Sequence, residues 1–379
     1  MYNLLLFNLF KHNSANCGLN STNFVFYLKK IGICTLFYCL GGIPPYTMNI
    51  LAIESSCDDT SAAVISNGKI RSNIVAGQLI HEIYGGVVPE LASRAHQQHI
   101  VRVVDKAIQV ANITKKDLNA IAFTRGPGLL GSLLVGTSFA KAMALALDVP
   151  LVEVNHMQAH VLAHFIDEPR PAFPFLCLTV SGGHTQIVLI KDYATMEVLG
   201  ETQDDAVGEA FDKTAKLLGL SYPGGPLVDK HAQLGNPLAY EFPLSEMPKY
   251  NFSFSGIKTS ILYFLKKKVA ENPNFVAENL NDICASVQHT LVRMVLQKLR
   301  RAARELNIKE VAIAGGVSAN SGLRKTLHEM GEKEGWNVYI PDFQYCTDNA
   351  GMIAMAAHFK YLKNDFSSQD VSPLPRMEW

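Results

Sequence analysis

Net charge is absent from this chain: 34 Lys and Arg residues stand against 34 Asp and Glu. Without a basic excess there is no broad field to hold a polyanion, so any nucleic acid must be met through a local patch or with a partner's help. Acidic residues and arginine are missing altogether from residues 1–47, which carry only Lys11, Lys29 and Lys30. The apolar runs there, residues 4–10 and 31–40, fall short of the roughly 20 residues that span a bilayer, and no membrane is expected as a partner. The order of features does not fit a secretory signal, and a transit peptide should be Arg-rich. The segment is therefore set apart from the fold. It reads as translated upstream sequence with Met48 as the true start, or as an organellar presequence.

Cysteine is sparse and scattered. Cys17, Cys34 and Cys39 lie in the opening segment, while Cys57, Cys177, Cys284 and Cys346 are far apart and form no CxxC pair. This excludes a disulfide framework and a zinc ribbon, and a reducing cytoplasm is the simplest compartment; a real presequence would instead point to mitochondria. No GxxxxGK[ST] and no GxSxG occurs, so neither a P-loop nor an α/β-hydrolase is expected, and a Rossmann dinucleotide site is set aside with them. What is present is an ordinary globular composition, 48% hydrophobic and 18% charged over 379 residues, enough for two or three domains.

From Met48 onward, strand-like runs alternate with helical ones. Strands are expected at 48–54, 60–66, 120–124, 151–154, 175–180, 185–190, 311–314 and 338–340. Helices are expected at 89–110, 129–147, 156–165, 206–218, from Gly224, and at 283–306, 318–330 and 349–362. This is an α/β protein. Residues 50–65 and 175–190 share one pattern: strand, polar or Gly-rich turn, strand. Leu51/Leu176, Ser56/Ser181, Thr60/Thr185 and Ile65/Ile190 are identical without a gap. Hydroxyls, glycines and backbone N–H groups in such a turn suit a phosphate. Two hairpins of this kind point to a duplicated α/β domain with a nucleotide between the halves, although two ordinary edge hairpins would read the same way.

His156 and His160 stand at i and i+4, one turn apart on a helix face, where two imidazoles can share one metal. A polar helix face is the plainer alternative. The intervening residues are Met157, Gln158 and Ala159, so the general-base Glu of HExxH is missing. His164 continues the face at i+8. Asp348 opens the last helix, either as an N-cap or as the carboxylate that completes a two-His, one-carboxylate set suited to Fe(II) or Zn(II). Residues 311–320 run from a buried strand through Gly315 and Gly316 into a helix, with Ser318 as the expected cap and Asn320 as a base or ribose contact. Asp212 precedes the Gly224-Gly225 turn and could bond a ribose, or be a solvated carboxylate. Lys266–Lys268, Lys298, Arg300, Arg301 and Arg304 are either a solvated face or a phosphate-contacting patch.

Taken in order, these motifs are specific. Residues 53–60, 85–90, Gly126-Pro127-Gly128, 155–160, Ser181-Gly182-Gly183-His184-Thr185, 208–212, Pro223-Gly224-Gly225-Pro226, 254–258 and Gly315-Gly316-Val317 with Asn320 together make residues 48–365 resemble the TsaD (Gcp) family of tRNA threonylcarbamoyladenosine enzymes. The resemblance implies a duplicated actin-like/Hsp70-like (ASKHA, RNase H-like) two-domain fold. On that basis residues 48–170 form the first half with the metal-binding helix, 171–365 the second half with the nucleotide contacts, and 366–379 a tail. It also implies transfer of a threonylcarbamoyl group from L-threonylcarbamoyladenylate to N6 of the adenosine 3′ of the anticodon, in tRNAs reading codons that begin with A, with release of AMP. The metal, iron first and zinc second, falls on His156, His160 and Asp348. Substrate contacts fall on Thr179, Val180, Ser181, Gly182 and Gly183, on Asp212, on Gly225 and Asp229, and on Asn320. TsaB-type and TsaE-type proteins are the implied partners. Asp58, in the first hairpin turn, is the candidate general base. The rival readings are a metalloprotease, an ATP-binding scaffold of the actin/Hsp70 type, and a small-molecule carbamoyltransferase.

Overall fold

The computed structural model describes residues 47–78 and 80–379; the expectations for the opening segment lie outside them. Residues 48–379 form one compact unit built on two five-stranded sheets. The first sheet comprises β1 (Asn49–Glu54), β2 (Thr60–Ser66), β3 (Lys69–Ala76), β4 (Ala120–Gly126) and β5 (Leu151–Asn155), in the order β3-β2-β1-β4-β5. The second comprises β6 (Phe175–Val180), β7 (Thr185–Ile190), β8 (Met196–Glu201), β9 (Glu310–Ala314) and β10 (Asn337–Tyr339), in the order β8-β7-β6-β9-β10. The two orders are the same pattern used twice. In each sheet a three-strand meander leads to a parallel fourth strand beside the first: β1 lies parallel to β4, and β6 to β9. The sequence repeat maps onto this register, with Ile50 opposite Ile65 and Phe175 opposite Ile190 at the outer ends of the two hairpins.

The helices fill the space around the sheets. α1 (Ile80–Tyr84) and α2 (Pro89–Val110) follow the first meander, α3 (Leu130–Leu147) follows β4, and α4 (His156–Leu162) follows β5. The second half carries α5 (Val207–Leu217), α6 (Gly224–Ala232), α7 (Ser255–Glu271), α8 (Phe275–Glu305), α9 (Ser321–Glu334) and α10 (Ala350–Leu362). β1 is buried at all six positions because both of its faces are covered. Leu51 and Ile53 pack with Ile100, Val104 and Ala140 of α2 and α3. Ile50 and Ala52 face the other way, into a cluster that includes Ala159 and Val161 of α4 and Met352 to Ala357 of α10.

That same cluster takes in Phe175, Cys177, Val188 and Ile190 of the second sheet. Thus α4 and α10 form a layer that both sheets share. The sequence reading grouped α10 with residues 171–365, but its contacts lie on the first sheet and on α4. α3 is long and apolar enough to cross a membrane by length and composition, yet it packs on β4 and α2. The tail runs along the first sheet. Ser367 and Leu374 donate backbone bonds to Leu151 and Arg125, and the Trp379 indole then donates to Gln186 on β7.

Candidate active site and metal centre

The first hairpin turn, residues 55–59, is held by buried polar contacts. His96, on α2, donates from Nε2 to the Cys57 carbonyl at 3.0 Å and accepts from the Thr60 hydroxyl at 2.7 Å through Nδ1. Burial pushes the His96 pKa down and keeps that ring neutral. The start of α3 comes down on the turn, with Leu129 N–H on the Ser56 carbonyl at 2.7 Å. A Cβ on Gly128 would lie 2.5 Å from that same carbonyl, so only glycine permits the approach. The second hairpin closes differently. Ser181 N–H bonds the His184 carbonyl at 2.8 Å, and His184 N–H bonds Ser181 Oγ at 3.0 Å. Gly182 and Gly183 look into open space, which leaves that turn free to take a ligand.

The two sequence-predicted histidines meet the carboxylate from the far end of the chain. Asn155 caps α4, its side chain accepting from Met157 and Gln158 N–H, and this aims His156 and His160 across the sheet. Asp348 Oδ1 lies 3.4 Å from His156 Nε2 and 3.3 Å from His160 Nε2. One ligand atom from each of the three falls within 4.8 Å of the others. Asp348 is not the cap of α10: Asn349 fills that role, accepting from Met352 N–H at 3.0 Å. His164 is no third ligand. Its Nε2 donates to the Ile313 carbonyl at 2.9 Å, and burial pushes its pKa to about 4.

Burial alone would drive the His156 imidazole down. The carboxylates of Asp348 and Glu54 flank it and more than reverse this, so its pKa is held well above the ordinary value. Burial likewise pushes Asp348 up, and the His156 charge overrides it to leave the carboxylate ionised. His160 is pushed down by burial, and its Nδ1 is buried with no hydrogen-bond partner among the described residues. Two imidazole nitrogens and one ionised carboxylate, turned on a common point, fit a divalent cation.

The substrate-binding residues expected from sequence behave unequally. Thr179 and Val180 are buried in β6, with the Thr179 hydroxyl on the Gln186 carbonyl. Asp212 Oδ1 accepts from Gly224 N–H at 2.9 Å and Gly225 N–H at 3.0 Å, so the carboxylate shapes the glycine turn. Asp229 accepts from the Ser321 hydroxyl at 2.6 Å and its N–H at 3.1 Å. Asn320, not Ser318, caps α9, accepting from Leu323 N–H while donating to Gln288. Ser318 Oγ is buried without a partner among the described residues. The basic residues singled out on α8 are engaged within the chain: Arg300 and Arg304 pair with Glu334, Arg301 with Glu305, and Lys298 donates to the Met247 and Lys249 carbonyls.

Electrostatics show which groups face each other. Burial raises Tyr222, and the charges of Asp58 and Asp212 raise it further. His184 is lowered by burial and then by His156 and His160, which puts the second hairpin turn beside the metal ligands. Asp59 is raised to about 7 by burial and by the charges of Asp348, Asp58 and Glu54. Sequence reasoning missed Asp59 and Glu54; a carboxylate closing an otherwise apolar strand was the available signal. It also passed over a GxGxxG spacing at Gly126–Gly131. Those glycines are covered by the chain itself, Gly126 by Leu374 and Gly128 by Ser56, so no dinucleotide can use them.

A family model described as TsaD, tRNA N6-adenosine threonylcarbamoyltransferase, matches residues 69–355. The chain belongs to the TsaD family. It is 64% identical over 331 residues to the tRNA N6-adenosine threonylcarbamoyltransferase of Cytophaga hutchinsonii, covering 87% of this chain and 96% of the relative. The Porphyromonas gingivalis protein of that name is 58% identical over 333 residues, covering 86% and 98%. Among solved structures, full-length HypF in a phosphate- and nucleotide-bound form aligns with a TM-score of 0.57 at 15% identity, over 84% of this chain and 47% of that one. HypF of T. kodakarensis gives 0.56 at 18% identity, over 85% and 49%. At such identities the likeness speaks for the fold alone, and this TsaD-family chain has the duplicated actin-like architecture that the resemblance implied.

Proposed function

We propose that this chain transfers the threonylcarbamoyl group from L-threonylcarbamoyladenylate to N6 of the adenosine 3′ of the anticodon, in tRNAs reading codons that begin with A, and releases AMP. The observation that carries this is the 64% identity to a tRNA N6-adenosine threonylcarbamoyltransferase along nearly its whole length. The site supports it. The open turn at Gly182-Gly183 suits the adenylate phosphate, and its neighbour His184 feels the charge of His156 and His160. The protease reading finds no support, because Met157 stands where HExxH has its general base.

In the reaction, N6 forms a bond to the carbamoyl carbon, the bond from that carbon to the AMP phosphate oxygen breaks, and N6 gives up one proton. His156, His160 and Asp348 would hold the metal, Fe(II) in the first instance or Zn(II). Bound there, such an ion supplies a Lewis acid for the threonylcarbamoyl end. The backbone of residues 181–183 and the glycine turn shaped by Asp212 would hold and orient the nucleotide, which is where much of the rate arises. Asp58 remains the candidate acceptor for the N6 proton. Asp59, the next carboxylate of the same turn, joins it.

The proposed partners are tRNA and proteins of the TsaB and TsaE types. Val101 on α2 and Leu130, Leu134 and Leu145 on α3 stand exposed, an apolar face that supports protein partners, and the neutral charge supports shared tRNA binding. A cytoplasmic site of action belongs to the same reading; the four cysteines among the described residues are all free thiols. The test is a transfer assay with the full chain, both partners, labelled threonylcarbamoyl-adenylate and unmodified tRNA. Label should enter tRNA and be lost with His156→Ala or after chelation. With partners proven active beside a homologue, an unlabelled tRNA would overturn the reading. Asp58→Ala and Asp59→Ala, run alongside, should separate the two proton acceptors; full turnover in either removes that residue from the role.

A further inference from the structure

Glu54 closes β1 at a position with no solvent exposure. An ionised carboxylate there can only accept, so donors must surround it. Ser56 N–H reaches Oε1 at 2.5 Å, and the Thr124 hydroxyl reaches Oε2 at 2.5 Å. The third donor is His156, whose Nδ1 lies 3.1 Å from Oε2. Ser56 Oγ, 3.2 Å from Nδ1, lies on the same side of the ring. A proton between Nδ1 and a carboxylate must sit on the nitrogen. With the Nδ1 proton held there, it is the Nε2 proton that a metal would displace, so the ligating lone pair falls on Nε2, the atom that faces Asp348. His160 differs, since its Nδ1 has no partner among the described residues.

The repeat shows that the hairpin does not itself demand this carboxylate. Ile50 corresponds to Phe175, so Glu54 corresponds to Thr179. Thr179 sits at the same register position in β6 and spends its hydroxyl on a backbone carbonyl. The buried carboxylate occurs in the hairpin whose residues bond His156 and not in its counterpart.

We infer that Glu54 is a positioning residue for the metal centre: it fixes His156 with Nδ1 protonated and Nε2 free to ligate, making His156 the anchoring ligand. This rests on the reading of His156, His160 and Asp348 as metal ligands. A carboxylate behind a ligating imidazole both orients the ring and raises its basicity, and losing one costs about 10–100-fold in metal affinity.

The experiment measures zinc binding to the full chain by competition with a chromophoric chelator, for wild type, Glu54→Gln and Thr124→Val. Glu54→Gln should weaken binding by about 10–100-fold. Thr124→Val removes another donor from the same carboxylate without touching the histidine, and its affinity should stay near the wild-type value. Nitrogen-15 histidine spectra of the zinc-loaded wild type need no variant, and should show His156 ligating through Nε2 with Nδ1 protonated. Ligation through Nδ1, or wild-type affinity in a folded Glu54→Gln, overturns the inference while leaving the metal site intact. Equal losses in Glu54→Gln and Thr124→Val would make Glu54 merely structural and overturn it too. A wild-type chain that binds no zinc instead removes the metal reading itself.

Discussion

His164 ties the chain's pH tolerance to the burial of an imidazole. It lies just past α4, buried, with Nε2–H on the Ile313 carbonyl, and its pKa is about 4. An unfolded histidine titrates near 6.5, so between those values the unfolded chain binds a proton that the native chain refuses. The stabilisation is therefore fully present above about pH 6.5 and is lost as pH falls through about 4. At about 1.4 kcal/mol per pH unit it amounts to roughly 3 kcal/mol. His96 and His184 are also lowered by burial and act in the same direction. Urea unfolding at pH 7, 5.5 and 4 should show the decline. His164→Gln, which can still donate to Ile313, should flatten it by about that amount; an unchanged slope would refute the account. The same histidine shows what periodicity can and cannot read. Its i+8 spacing put it on the face of His156 and His160, but the carbonyl that claims it lies on β9, far away in sequence.

Gly315, after β9, does for the second hairpin what Gly128 does for the first. Its φ of 89° and ψ of 168° belong to glycine, and a Cβ there would meet the Val180 carbonyl at 2.5 Å. Gly315→Ala should cost about 1–3 kcal/mol from the backbone conformation alone, with the overlap adding to it. Chemical denaturation measures that loss; a variant as stable as wild type would contradict the close approach. Elements of this kind were legible wherever burial was continuous. β1, β2, β6 and β7 announce themselves as apolar runs, and α2 follows from the spacing of Ile100, Val104 and Ile108. β3 and α7 went unread. β3 is an edge strand with a mostly uncovered pattern, and α7 buries only Ile257, Ile261 and Leu265 over 17 residues. At residues 316–320 a 3₁₀ turn precedes α9, so the cap falls on Asn320 and not on Ser318. The metal triad was legible in part: helical spacing supplied the histidines, while Asp348 entered through its place ahead of the last helix. Glu54 and Asp59 owe their character to burial and to neighbours remote in sequence, which no local pattern records.

The metal ligands join α4 to the segment before α10, so binding should act on the stability of the assembled protein. At a hundredfold excess over Kd, a ligand of the native state alone adds about 2.7 kcal/mol. Unfolding in urea with and without zinc should show that shift in the wild type and its loss in His160→Ala; a midpoint that zinc leaves unmoved would oppose the assignment. The return of α10 to the first sheet has a further consequence, in the order of synthesis. β5 ends at Asn155, yet the helix that covers the inner face of its sheet is complete only at Leu362, about 200 residues later. A ribosome adding roughly 5–20 residues per second would leave Ile50, Ala52 and Ile65 without α10 against them for about 10–40 s. Through that interval the nascent first half lacks its last covering helix, and His156 and His160 lack the Asp348 carboxylate.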